Sequence, residues 1–361
     1  MSAPGAVNAA LDQLLLWLAS VASPIGEEHA LCNDVQARLE RLPLAAPIRR
    51  YGDSIVVPLW RGRTGPHIAL VGHLDTVRTE NGPARLEGDR IFGAGVSDMK
   101  SGLALMIAAA EGLGAPIVSN ANVTLVFYAR EEGPFAENEL GPVLEQDPEL
   151  THVDLAVCLE PSDNRLHLGC CGSIHLEVTF HGRTGHSARP WEADNAVYRA
   201  VGFLQEIAAR GPEEHRIDGL TYRTVTSVTR ANDGGRGRNV VPDRFVLNLN
   251  HRFAPDSTLE REQERLRAWI GARASVHFTD LSPASPPARS HPLVEALIAA
   301  GVRDVAPKQA WTDVARFALI GVPAVNFGPG ENAQAHQKNE STALALVHEG
   351  YAILRRWLES V

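Results

Sequence analysis

Apolar residues recur along this chain in two rhythms that point to different elements. From Ala9 to Leu18 the spacing is helical and one face is apolar. Ser23-Pro24 breaks that pattern, and Gly26-Glu27-Glu28 opens a second helix that runs through Leu39. Elsewhere the apolar residues come in short continuous runs. Ile68-Ala69-Leu70-Val71, within His67 to Gly72, is one; Val123 to Tyr128, Val153 to Leu159 and Val322 to Phe327 are others. Such runs predict strands buried on both faces. Ser101 to Leu113, rich in Ala, Leu and Met, predicts a helix between the first two of them. Short apolar strands separated by helices predict an α/β sheet covered on both sides.

The middle of the chain changes to strict alternation. Ile174, Leu176, Val178 and Phe180 share one face of a strand from Ser173 to Phe180, with His175, Glu177 and Thr179 on the other. A helix from Asp194 to Ala209 follows, then strands over Arg223–Thr229 and Arg244–Phe253. A charged helix over Leu259–Ile270 and a strand over Ser275–Thr279 complete the set. The order β-α-β-β-α-β is the ferredoxin-like arrangement. It ends at the linker Pro283-Ala284-Ser285-Pro286-Pro287, after which α/β character resumes. The expected organisation is therefore a larger α/β domain, residues 1–172 and 287–361, with a smaller α+β domain, residues 173–286, inserted into it.

Composition narrows the possibilities. A net charge of -9 over 361 residues argues against a nucleic-acid partner, which would need a basic face. No apolar stretch is long enough to span a bilayer, and the start lacks the basic and apolar blocks of a signal peptide. Four cysteines, with no C-x-x-C pair, suggest a reducing compartment and no structural zinc knuckle. The expected location is cytoplasmic.

The chemistry-bearing residues follow the strands. His73 and Asp75 come after the first run, Glu131 and Glu132 after the second, Glu160 after the third, and His336 beyond the last, past Gly328-Pro329-Gly330. Asp98 lies in the glycine-rich stretch Gly93 to Lys100, just before a helix. Ligand sites of α/β sheets form at the carboxyl ends of the strands. Imidazole and carboxylate together suit zinc, or less specifically cobalt or manganese. Five ligands, His73, Asp98, Glu132, Glu160 and His336, exceed what one catalytic zinc accepts and suit two ions sharing a bridging carboxylate. Asp75 is then placed to orient His73, and Glu131 to act as general base. Taken singly these are weak signals: a lone His-x-Asp or a pair of adjacent glutamates is usually solvated surface. Their shared position at strand ends is what points to a cation, because adjacent buried acids repel one another. No Gly-x-Ser-x-Gly elbow is present, which argues against a serine hydrolase.

These residues resemble the di-zinc aminoacylase and carboxypeptidase clan, which includes acetylornithine deacetylases and succinyl-diaminopimelate desuccinylases. The motifs that carry the resemblance are Gly72 to Val77, Gly95 to Gly102, Arg130-Glu131-Glu132, Glu160-Pro161 and His336. The resemblance covers nearly the whole chain. It implies a di-zinc peptidase-like catalytic domain with an inserted ferredoxin-like dimerisation (lid) domain, and two Zn²⁺ ions, with Co²⁺ or Mn²⁺ as substitutes. It also implies Asp98 between the ions, Glu131 as the catalytic glutamate and general base, a homodimer formed through the small domain, and an acylated amino acid as substrate. In His181 to Pro190, His186 matches the residue that reaches the partner's active site.

Four further segments are similar to one subgroup of the desuccinylases: Ile217 to Arg223, Asn239 to Asp243, Trp311 to Phe317 and Asn326 to Gly330. The subgroup implies hydrolysis of N-succinyl-diaminopimelate to succinate and diaminopimelate. The alternative is an acetylornithine deacetylase or a related N-acyl-amino-acid amidohydrolase or dipeptidase. One departure stands out: Cys170-Cys171 precede Gly172-Ser173 where many desuccinylases have two arginines. Arg252 and Asn239 match family positions that contact substrate. Arg316 and backbone N–H groups near Gly328 are expected to hold substrate carboxylates from the large domain.

Overall fold

The computed structural model describes residues 4–234 and 237–361. They form two compact units. The first runs to Gly169 and resumes over Pro287–Pro307 and Asp313–Val361; the second comprises Cys170–Pro286 and Lys308–Thr312.

The first unit is built on an eight-stranded sheet. Its order is Arg49–Tyr51, Ser54–Trp60, Asn122–Tyr128, His67–His73, Leu155–Cys158, Ala324–Asn326, Leu166–Leu168, Val305–Pro307. Asn122–Tyr128, His67–His73, Leu155–Cys158 and Ala324–Asn326 are consecutive and mutually parallel. Their carboxyl ends therefore share one edge. Ile68, Ala69, Leu70 and Val71 are all fully buried, so both faces of the sheet are covered, as their continuous apolar run predicts. The helix Lys100–Ala110 packs on His67–His73 and against the terminal helices Pro4–Ser20 and Leu344–Ser360. Val314–Leu319 packs on Leu155–Cys158 and Ala324–Asn326. Among the described residues no helix is long and apolar enough to cross a membrane.

The sheet contains a strand that the apolar pattern did not reveal. Ser54–Trp60 lies antiparallel beside Asn122–Tyr128 and is buried up to Leu59. Pro58 disguises it, since proline donates no ladder hydrogen bond; the register slips between Pro58 and Trp60, which accommodates it.

The second unit has a five-stranded antiparallel sheet in the order Glu213–Ile217, Leu220–Asn232, Arg244–Phe253, Gly172–His181, Ser275–Ser282. Without its first strand this is the ferredoxin-like order. The helices Ala196–Ala209 and Leu259–Ile270 cover one face, closing a core around Ile174, Leu176, Val178 and Phe180. Of the residues expected on the other face, His175 and Glu177 are half-buried, while Thr179 is buried. Asn195 and Thr258 cap the two helices through Val197 N–H and Arg261 N–H. The additional strand is a hairpin partner: Asp218 and Gly219, at φ 49° and 79°, form the tight turn to Leu220. Lys308–Thr312 belongs to this unit because its backbone and side chains are tied there. Lys308 O accepts from Cys171 N–H at 3.2 Å, Gln309 bonds both backbone groups of Arg223, and Trp311 Nε1 donates to Pro283 O at 3.0 Å.

Gly102 shows how closely the site-bearing elements pack. It lies inside the helix Lys100–Ala110, and a Cβ there would stand 2.3 Å from Leu159 O, beside Glu160. In an exposed helix, Gly→Ala stabilises by about 0.5–1 kcal/mol. Here overpacking against backbone prevails, and Gly102→Ala is expected to destabilise by about 1–3 kcal/mol in urea denaturation. An increase in stability would show that helix and strand slide apart freely.

Candidate metal centre

The shared strand edge of the first unit collects the acids and imidazoles. His73 ends its strand fully buried, and its Nδ1 donates to Asp75 O at 3.0 Å. Its Nε2 faces Asp98 Oδ1 at 3.3 Å, where the protonated ring donates to the carboxylate in the absence of a cation. Asp98 Oδ2 lies 3.5 Å from His336 Nε2, which also sits 2.9 Å from Glu132 Oε2. The ligand atoms of His73, Asp98 and Glu132 all lie within 4.8 Å of one another.

These spacings fit a metal. Two ligands held at about 2.1 Å by one tetrahedral ion stand roughly 3.4 Å apart, and the two Asp98–imidazole separations match that edge length. Each Asp98 oxygen faces a different histidine, which is the pattern of a carboxylate shared between two ions. Glu160 follows Leu155–Cys158, is 5% exposed, and its charge acts on Glu131.

Asp75 organises the second strand end. Its two carboxylate oxygens accept the backbone N–H groups of Glu131 and Glu132, at 3.0 and 2.9 Å. Its carboxylate stands 3.5 Å from His73 Nδ1, so its orienting bond to the imidazole runs through its own carbonyl. Two residues beside the candidate ligands are left-handed without being glycine: Arg130 at φ 63° and His336 itself at φ 62°. Such backbone costs about 1–3 kcal/mol per residue and is characteristic of functional sites.

The electrostatics follow from packing this much charge into one place. Burial, then Glu132 and Glu160, push the Glu131 carboxyl well above the usual range. Burial also raises Glu132, against the opposing hydrogen bond from His336. Burial alone would lower His73, but Asp75 and Asp98 outweigh it and raise it well above its ordinary value. The bond to Glu132 lifts His336 to about 9. Asp75 goes the other way: burial disfavours its charge, yet His73 and the amides of Glu132 and Glu131 hold it below its ordinary value. Protons thus gather where a cation would supply positive charge.

Two expected substrate contacts are otherwise engaged. Arg316 is 6% exposed, pairs with Asp313 at 2.7 Å, donates to Phe135 O and stacks on the Phe135 ring. Asp313 also accepts from Tyr128 Oη at 2.7 Å and from Asn138. The guanidinium is a buried tie behind the site, because unpaired Asp313 would be costly there. The Gly328 N–H donates to Ser162 Oγ at 3.0 Å. Glycine is required there because a Cβ would lie 2.3 Å from Leu159 O.

The remaining expected residues are in the second unit. His186 is exposed on a short hairpin pairing Gly185–His186 with Val240–Val241. Its Nδ1 accepts from Ala188 N–H at 3.1 Å, which leaves Nε2–H as an outward donor. Asn239 is exposed, with its carbonyl accepting from Ser187 N–H. Arg252 is half-buried and donates through Nε to Asn250 Oδ1 at 2.9 Å.

Sequence reasoning missed Glu340. It is 2% exposed, and its carboxylate accepts the N–H groups of Gly95, Ser97 and Asp98. Burial, partly offset by those bonds, lifts its carboxyl to about 7. Its neighbours Asn339 and Ser341 carry no pattern that would have singled it out.

The histidine shift has a measurable consequence. Because the His336 pKa is raised from 6.5 to about 9, its pairing supports the metal-free fold below the lower value and is lost as pH rises through the upper one. At pH 7 a cation must displace that proton. Zinc titration into metal-free protein should release at least one proton at pH 7 and less above pH 9, read calorimetrically in buffers of different ionisation enthalpy. Binding without proton release at pH 7 would show that His336 is not a ligand.

The chain was compared with known proteins. Residues 69–360 match the model of peptidase family M20/M25/M40. A Mycobacterium tuberculosis protein named putative succinyl-diaminopimelate desuccinylase DapE is 34% identical over 348 residues, 96% of this chain and 97% of that protein. A Corynebacterium glutamicum protein named succinyl-diaminopimelate desuccinylase is 33% identical over 348 residues, 94% of each. Among solved structures, the aminopeptidase PepT of Bacillus cereus aligns with a TM-score of 0.78 at 19% identity, covering 98% of both chains. An M20 family metallo-carboxypeptidase of Sulfolobus solfataricus aligns at 0.76 and 16%, covering 99% of both. Matched over most of its length, and with histidines and acids gathered at one sheet edge, this chain belongs to peptidase family M20/M25/M40.

Proposed function

We propose that this protein hydrolyses N-succinyl-diaminopimelate to succinate and diaminopimelate. The observation that carries the reading is the near-full-length identity to desuccinylases from two organisms, in a chain whose strand edge holds His73, Asp98, Glu132 and His336 at metal-ligand spacing. In this reading His73, Asp98, Glu132, Glu160 and His336 would hold two zinc ions, with Asp98 shared between them. Such ions, when bound, supply an acidified water and a charge that polarises the amide carbonyl.

The protein's own groups do the rest. Glu131 takes the water proton onto a carboxylate oxygen and returns it to the amide nitrogen as the C–N bond breaks. In the metal-free protein burial and the charges of Glu132 and Glu160 hold that carboxyl well above its ordinary range. Asp75 keeps Glu131 and Glu132 in register through their backbone amides. The outward Nε2–H of His186 is a donor for the substrate's carbonyl oxygen, contributed by the partner subunit of a homodimer. Arg252 and Asn239 are donors for substrate carboxylates, replacing the arginines absent at Cys170-Cys171. The reaction is assigned to the cytoplasm.

The test is a substrate panel on zinc-loaded protein. N-succinyl-diaminopimelate should exceed N-acetylornithine and simple dipeptides by about 10²-fold or more in kcat/KM. A preference for the acetylated substrate or a dipeptide would overturn the named substrate. In the same assay Glu131→Gln should keep its metal and lose roughly 10²-fold or more in kcat. Near-normal turnover would move the base elsewhere.

A further inference from the structure

Glu340 lies four residues beyond His336, on a different segment from the Asp98 loop, yet its bonds go to that loop. Its Oε1 accepts from Ser97 N–H at 2.8 Å and from Asp98 N–H at 2.9 Å; its Oε2 accepts from Gly95 N–H at 2.8 Å. Its carbonyl accepts from Gly93 N–H at 3.1 Å, and its own N–H donates to Asn81 Oδ1 at 2.7 Å. One residue thus fixes four of the six amides between Gly93 and Asp98.

The other end of the His336 segment grips the same loop. Ser97 Oγ donates to Glu331 O at 2.9 Å. Gly330 approaches so closely that a Cβ would stand 2.0 Å from Ser97 O. Residues 330–340 therefore carry His336 between two attachments to the loop that carries Asp98. Burying a carboxylate for an ordinary turn would be costly, since its charge must be compensated by directed donors. The donors it receives include the amide of Asp98 itself, whose peptide orientation sets where the Asp98 side chain points. Helix capping is a weaker explanation, because Met99, the first residue before Lys100–Ala110, has no side-chain cap and the Glu340 bonds end at Asp98.

We infer that Glu340 is a positioning residue for the metal pair: by holding the Gly95, Ser97 and Asp98 amides from the His336 segment, it fixes the aim of Asp98 between the two histidines. The inference rests on Asp98 being the shared ligand. Glu340→Gln can keep one oxygen toward Ser97 and Asp98, but sets an amide N–H₂ against the Gly95 N–H. Glu340→Ala removes all three acceptors. The effect should be graded.

The experiment is zinc titration of metal-free wild type, Glu340→Gln and Glu340→Ala. It is paired with urea denaturation of the same metal-free proteins and visible absorption of their Co²⁺ forms. Wild type should bind two ions. Zinc affinity at one or both sites should fall about 10–100-fold in Glu340→Ala and less in Glu340→Gln, as for other residues that orient ligands. The Co²⁺ bands should shift in the same order, while metal-free Glu340→Gln keeps a near-wild-type urea midpoint. Unchanged affinity and Co²⁺ bands in both variants would overturn the inference, as would affinity losses that only track lost stability. Failure of wild type itself to bind two ions would instead overturn the shared-ligand reading beneath it.

Discussion

The constraint on which the rest of the first unit depends is the mutual repulsion of buried acids at one sheet edge. Parallel strands and one loop deliver Asp98, Glu131, Glu132 and Glu160 there; Glu160 is buried and the side chains of Asp98 and Glu132 are only 11% and 8% exposed, leaving little solvent to screen them. Without compensation such a cluster either protonates or springs apart. The surrounding structure resists the second outcome. Asp75 pins the Glu131–Glu132 backbone, Glu340 pins the Asp98 loop, and Tyr128, Asn138 and Arg316 immobilise Asp313 behind them. Such hydrogen bonds would hold the candidate ligands in place before a cation arrives, the preorganisation that metal catalysis needs.

Much of this was legible because strand ends are marked by residue pattern. The four apolar runs locate the parallel core strands, and the polar residues just beyond each run are the ones that meet at the edge. Ferredoxin-like order in the second unit was legible from the β-α-β-β-α-β succession of its predicted elements. What escaped had identifiable causes. Pro58 hid the strand Ser54–Trp60, and the Asp218-Gly219 turn that pairs Glu213–Ile217 with its neighbour sits in polar surroundings with no apolar run.

The substrate contacts expected at Arg316 and Gly328 are a separate matter. Arg316 and Gly328 lie in motifs shared with enzymes of the resembled clan, yet their hydrogen bonds point into the fold. Glu340 shows the converse: its function is written in contacts with residues more than two hundred positions away, which no local pattern records. Long-range backbone capture by a buried carboxylate becomes visible only once the chain is folded.

The central claim is that two cations share Asp98 at this edge. Anomalous diffraction at the zinc edge from crystals of zinc-loaded protein tests it most directly. The account predicts two peaks roughly 3.5–4 Å apart flanking Asp98, among His73, Glu132, Glu160 and His336. A single peak, or two peaks of which neither touches Asp98, would contradict it.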